Sequence, residues 1–324
     1  MFTVNQSRFT PDLIGTTLGG ILMKRLLRWM GLTIASLIVL IAALLVVIYI
    51  AANHRISRHF EAQAVSVVVP TGSQAVAEGH RLFLARGCVD CHGQNLAGQV
   101  FVDDPAIGTY SGANLTTGKG GIGGKFNDGD YARAIRDGIA PDGRALIFMP
   151  STDFHGMSDA DVGYLIAYIR SVPPVDRFPP QHVVGPLARV LYLTGNMPIL
   201  VSADLIDHGA KRLDAPKVGP TEAYGRYLAE GCTGCHGMGL SGGPIQGGQP
   251  SWPPARNLTS NPDTGLGKWT YEDFDKAMRH GITPSGTQLR PPMPWTNFSN
   301  MTDTEVKALW AYLHTLPPKP EGNH

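Results

Sequence analysis

FLARGCVDCHG at residues 83–93 returns as YLAEGCTGCHG at 227–237, and this pair of stretches decides the fold. Outward from it, identity keeps recurring at an offset of 143–144 residues. NLT at 114–116 returns at 257–259, Gly138-Ile139 as Gly281-Ile282, and Met149-Pro150 as Met293-Pro294. LIAYIRSVPP at 165–174 returns as LWAYLHTLPP at 309–318. The chain therefore reads as a duplication, with domains over 73–175 and 217–319. An interdomain linker fills 176–216, and residues 320–324 form a tail.

Each unit reads as three helices joined by long loops rich in Gly and Pro. The first is Ser73–Arg86, matched by Thr221–Glu230, with Leu, Phe or Tyr along one face. The second is Asp128–Asp137, matched by Tyr271–His280, each stopped by a glycine, Gly138 or Gly281. Ser158-Asp159-Ala160-Asp161 resembles a capping box and Thr302-Asp303-Thr304-Glu305 fits one fully, so a third helix starts at each. Both third helices end at a Pro-Pro pair, which cannot continue them. Strand-like alternation is scarce, so the expected fold class is all-α.

Trp29–Ala52 is an uncharged run, WMGLTIASLIVLIAALLVVIYIAA. As a helix it is about 36 Å long, enough to cross a hydrocarbon core of roughly 30 Å. Lys24, Arg25 and Arg28 precede it while Arg55 and Arg58 follow, a bias that favours the N-terminus inside and the bulk outside. This gives an N-terminal cytoplasmic segment over 1–28, a transmembrane anchor over 29–52 and a linker over 53–72. Ala62-Gln63-Ala64 has the form of a signal cleavage site. It lies too far beyond an apolar run that is itself too long for a signal peptide. Met23-Lys24-Arg25 reads as a natural start, which makes residues 1–22 an upstream extension. The linker's apolar stretch, Gly185–Val201, is too short and too interrupted to span a bilayer, and is expected to pack between the two domains.

Composition narrows the function. With 27 Lys and Arg against 26 Asp and Glu in 324 residues, no basic footprint for nucleic acid exists. Gly 39 and Pro 25 make up about a fifth of the chain, fitting compact loop-rich domains. The 4 cysteines are too few for a disulfide scaffold and all fall in the repeated motif. Cys88-Val89-Asp90-Cys91-His92 and Cys232-Thr233-Gly234-Cys235-His236 are both Cys-x-x-Cys-His, the c-type haem attachment signature. Cys88, Cys91, Cys232 and Cys235 would bind two haem vinyl pairs as thioethers, and His92 and His236 would reach the irons from the proximal side. A zinc reading needs four ligands per site and leaves the histidines unexplained.

On these motifs, with Asn-Leu-Thr, Gly-Lys-Trp-Thr at 267–270, and Met-Pro before a capped helix ending in Pro-Pro, the sequence resembles class I cytochromes c. The likeness is specifically to membrane-anchored multihaem cytochrome c subunits of periplasmic dehydrogenases, and it covers both repeats. It implies an N-terminal transmembrane helix followed by two tandem cytochrome c domains, each about three core helices around a covalent haem. It also implies two haem c groups with His and Met as axial ligands. Each repeat offers two methionines. Met149 and Met293 each lie 57 residues after the motif histidine, in Met-Pro loops. The resemblance places the ligand there. Met157 and Met301 precede the Ser158 and Thr302 caps and read as hydrophobic staples. In class I cytochromes a small residue lets the first and last helices cross closely. Gly79 with Phe83 and Ala223 with Tyr227 supply the pairs at that place, facing Tyr168 and Tyr312. Trp269, matched by Phe126, reads as core or as a neighbour of a haem propionate. His80, His155, His182, His208, His280 and His314 do not recur between repeats and read as structural.

The function expected from the resemblance is electron relay without a catalytic residue of its own. The donor would be a periplasmic dehydrogenase or quinol-oxidising complex, and the acceptor a cytochrome or oxidase. The location would be the bacterial inner membrane, single-pass, with the haem domains facing the periplasm. A dihaem peroxidase, which needs one open iron, and an integral subunit of a terminal oxidase or bc-type complex are the alternatives.

Overall fold

The computed structural model describes residues 14–61, 65–210, 214–249 and 251–322. The upstream segment is therefore described only from Ile14, and the Ala62-Gln63-Ala64 site lies outside the described residues. The chain divides into two compact units, Met1–Ala51 and Ala52–His324. The first is most of helix α1, Ile14–Ile56, which contains the predicted span. Its stretch Leu22–Ile56 is the one helix among the described residues long and apolar enough to cross a membrane.

The second unit is mostly helical, and each repeat builds its core around one crossed helix pair. In the first repeat α2, Ser73–Ala85, crosses α5, Asp159–Ser171, with the attachment turn α3, Cys88–His92, and α4, Asp128–Asp137, beside them. β1, Val100–Asp104, and β2, Gly108–Ser111, form an antiparallel pair that is extended by β3, Val183–Val184. These strands are the departure from an all-helical chain. At five, four and two residues they are too short to display alternation in sequence.

In the linker, α6, Pro186–Leu193, leads to a 3-10 segment at Pro198–Leu205. The second repeat follows with α7, Glu222–Ala229, the turn α8, Thr233–His236, α9, Tyr271–His280, the short α10, Trp295–Phe298, and α11, Asp303–Leu313. α7 crosses α11 as α2 crosses α5.

Local chemistry sets the ends. Ser158 accepts from the Asp161 N–H, and Thr302 with Glu305 completes the reciprocal box. Asn127 with Asp130 and Thr270 with Asp273 build the same box one helix earlier, using Asp where the usual signature has Glu or Gln. Gly138 and Gly281 close α4 and α9 in the left-handed conformation.

The helix crossings confirm one glycine and move the other. A Cβ on Gly79 would lie 1.9 Å from the Tyr164 carbonyl oxygen and 2.8 Å from the Tyr168 Cβ. In the second repeat the equivalent position is Gly225, whose Cβ would stand 1.9 Å from the Ala308 oxygen and 2.7 Å from the Tyr312 Cβ. Ala223 is not at the crossing. α7 is eight residues long against thirteen for α2, so counting back from the cysteines misses by two residues.

Two apolar clusters follow the duplication, one around Leu82, Phe83 and Ile166, the other around Leu228, Phe274 and Leu309. A third joins Tyr110, Ile139 and Ala145 of the first repeat to Ala188, Tyr192, Leu200 and Val201 of the linker. The linker's apolar side chains thus pack on the first repeat, while its turn at Asn196-Met197 stands beside Gly247 of the second, so it touches both. Its apolar residues meet the open face of the small sheet, a surface not legible until the strands are seen. Asp204, nearly buried, ties the linker to the end of α1 through Arg55 at 3.0 Å and through Arg58, while Tyr192 donates to it as well.

Candidate functional site

Each Cys-x-x-Cys-His sits on one helical turn directly after the first helix of its repeat, so both sulfurs and the ring project from a single short segment. The His92 Nδ1 lies 2.9 Å from the Ala113 carbonyl, and the His236 Nδ1 lies 2.7 Å from that of Arg256. A carbonyl only accepts, so Nδ1 carries the proton and Nε2 keeps its lone pair. Burial lowers the pKa of both rings, which holds them neutral, the form that ligates iron.

Burial also pushes the thiols of Cys88, Cys91 and Cys232 up to about 12, and raises that of Cys235. Among the described residues no group of three or more His, Cys, Asp or Glu is placed to hold a metal ion. All four sulfurs line an apolar space, where two thioethers could form from each motif.

That space is a cavity of about 1780 Å³ lined from both repeats, larger than the roughly 300–1,000 Å³ of one small-ligand pocket. It receives His92, Met149 and Met157 from the first repeat and His236, Met293 and Met301 from the second. Phe126 and Trp269 also line it. Both methionines of each predicted pair thus reach the cavity, and in the first repeat their settings differ. Met157 is 5 % exposed within the core that holds Val162, the partner expected of a staple, and Met301 packs against the cluster of Val306. Met149 only flanks its core, whereas in the second repeat Met293 and Met301 both flank theirs. Met149 follows Phe148, which has a left-handed φ of 60°, unusual for an aromatic residue, and whose N–H bonds the Leu200 carbonyl at 3.0 Å. The linker therefore pins the Met-Pro loop of the first repeat.

The Asn-Leu-Thr motifs hold the cavity wall. Asn114 Oδ1 accepts from Thr116 and its amide reaches the Val175 and Arg177 carbonyls; Asn257 does the same with Thr259 and Lys319. Each motif ties the loop opposite the attachment turn to the chain beyond the Pro-Pro stop. Of the remaining histidines, His182 lines the cavity, whereas His80 lies tilted against Tyr168 and His314 against Trp310.

Sequence reading missed the contact between the repeats. Arg81 of α2 pairs with Glu305 of α11 at 2.7 Å, and Tyr227 of α7 donates to Asp161 of α5. Counted from the two crossing glycines, Arg81 and Tyr227 are equivalent, as are Glu305 and Asp161. Likewise Asn297 donates to Asp90 at 2.6 Å, and its equivalent Asp153 lies against Gly234, the equivalent of Asp90. Such exchanged pairs have the reciprocity of an isologous interface. Each attachment turn is thereby covered by the segment after the other repeat's Met-Pro. The signal was present in the recurrence of MPSTDF at 149–154 as MPWTNF at 293–298.

Comparison with known proteins finds a family match over both repeats. The cytochrome c family profile matches residues 76–173 and 222–317. The gluconate 2-dehydrogenase cytochrome c subunit of Pantoea cypripedii is 37% identical over 107 residues, 31% of this chain and 24% of that protein. The fructose dehydrogenase cytochrome subunit of Gluconobacter japonicus is 39% identical over 103 residues, 30% of this chain and 21% of its own length. An alcohol dehydrogenase (quinone) cytochrome c subunit from Gluconacetobacter polyoxogenes is 27% identical over 307 residues, 84% of this chain and 64% of that protein. The chain thus spans under two thirds of the length of these relatives. The two matched domains carry the capacity to bind haem c.

Proposed function

The chain belongs to the cytochrome c family through two tandem domains, and from that premise we propose that it is a membrane-anchored dihaem electron carrier serving a periplasmic dehydrogenase. Cys88 and Cys91 would hold one haem as thioethers and Cys232 and Cys235 the other. His92 with Met149 and His236 with Met293 would be the axial pairs. Haem c, when bound, supplies a one-electron ferric/ferrous couple whose potential a thioether ligand raises. The protein's part is to keep each imidazole neutral and aimed by a backbone carbonyl, to present a thioether from the Met-Pro loop, and to exclude water with apolar walls.

The observation that carries this reading is the same neutral-His, Met-Pro cavity built twice and joined into one space. Two one-electron sites so joined suit a relay. The names of the three relatives, all cytochrome subunits of dehydrogenases, support a dehydrogenase as donor. A quinol-oxidising complex is the alternative donor, and a cytochrome or oxidase would accept. The apolar helix would anchor the chain in the inner membrane with the haem domains in the periplasm, where thioether attachment takes place in this family.

Gentle solubilisation of membranes and purification of the chain tests this. A cofactor-bearing dehydrogenase should co-purify and reduce the haems when given its substrate. Co-purification of haem-copper subunits instead would make the chain part of a terminal oxidase.

A further inference from the structure

The interface between the repeats is reciprocal in position but not in charge. At the first attachment turn the carboxylate is its own: Asp90, exposed to solvent, accepts from the Asn297 amide at 2.6 Å. At the second turn the carboxylate comes from the other repeat. Asp153 Oδ1 and Oδ2 lie 2.8 and 3.1 Å from where a Cβ on Gly234 would be, so any side chain there would displace the carboxylate. Gly234 stands between Cys232 and Cys235; the Asp153 carboxylate adds to the rise that burial imposes on both thiols, while Arg86 of the first repeat opposes it at Cys232, and more strongly. Asp153 also lines the shared cavity. Among the described residues no salt bridge reaches it, and burial pushes its pKa up to about 6 against one opposing hydrogen bond, with Thr152. At neutral pH it is a largely ionised carboxylate in a poorly solvated place.

We propose that Asp153 of the first repeat tunes the haem of the second, holding its reduction potential below the value that haem would have without this carboxylate. This rests on the reading that Cys232 and Cys235 carry a haem. Reduction adds one electron beside a fixed negative charge, and away from water that repulsion is weakly screened. The ferric state is favoured, and an electron shared between the two haems resides more on the first. Asp90 exerts a smaller pull on its own haem, because water and the Asn297 amide solvate it. Each haem's covering segment belongs to the other repeat, so the offset exists only while the repeats are docked.

The test is a spectroelectrochemical titration of the full haem-loaded chain in detergent. Asp153→Asn keeps shape and removes charge. One of the two midpoint potentials should move upward and the other stay where it is. Asn297→Asp, which sets a second carboxylate beside Asp90, should lower the other midpoint. Two unmoved midpoints in Asp153→Asn, or two that move together, would overturn the proposal. Pyridine haemochrome counts on the same samples separate this from the reading beneath it. Fewer than two haems in the unaltered chain would overturn the dihaem assignment, not the role of Asp153.

Discussion

Residue identity decides most at the two Met-Pro loops and at Asp153. If Met149 and Met293 are ligands while Met157 and Met301 are staples, the two pairs should fail differently. Met149→Ala or Met293→Ala should each abolish the sulfur-to-iron absorption of one haem, lower that haem's potential and admit small exogenous ligands. Met157→Ala should leave the absorption in place and instead lower stability by roughly 2–5 kcal/mol, the usual cost of emptying a buried methionine site. Denaturant midpoints and the ferric spectrum read the two effects separately. Asp153 carries a second consequence through pH. Its pKa, raised from 3.8 to about 6, means that the folded state holds this proton more tightly than the unfolded one. Its contribution is therefore neutral below pH 4 and becomes a penalty as pH rises through 6. Asp153→Asn should stabilise the chain by on the order of 2–3 kcal/mol above pH 6, with the gain fading towards pH 4. A gain independent of pH would mean that the side chain's packing, not its charge, matters there.

Among the elements, the helices were legible and the crossings only half so. α4 and α9 run over the residues their patterns predicted, because a cap, an apolar stripe and a stopping glycine all agree. The third helices were equally clear from their caps and Pro-Pro stops. The strands were not: β1 and β2 exist because the linker covers them, a tertiary cause that a local window does not contain. The crossing in the second repeat was misread because residue counting assumes helices of equal length. Gly225→Ala should therefore push α7 off α11 and lower the denaturant midpoint of the second repeat by more than the ~1 kcal/mol that separates Ala from Gly in a helix. Ala223→Gly should cost only that propensity difference. Equal losses at the two positions would return the crossing to Ala223.

At the scale of the whole molecule, the duplication fixed the number of sites in advance, but nothing in one repeat announced how it meets the other. That contact is made by Arg81, Glu305, Asp161 and Tyr227, which are scattered in sequence and related only once the two repeats are docked. Each repeat nonetheless keeps its own core, so loss of one haem should not unload the other. Changing Cys88 and Cys91 together to Ala should halve the haem count per chain, with haem staining retained after denaturing electrophoresis. The central claim is that both irons are closed by a thioether and pass electrons without doing chemistry on a substrate. The ferric spectrum of the untouched, haem-loaded chain, recorded with and without peroxide and a reductant, tests it most directly. Two low-spin haems with sulfur-to-iron absorption and negligible peroxide turnover are the predicted result; one high-spin haem with reductant-dependent peroxide turnover would contradict it.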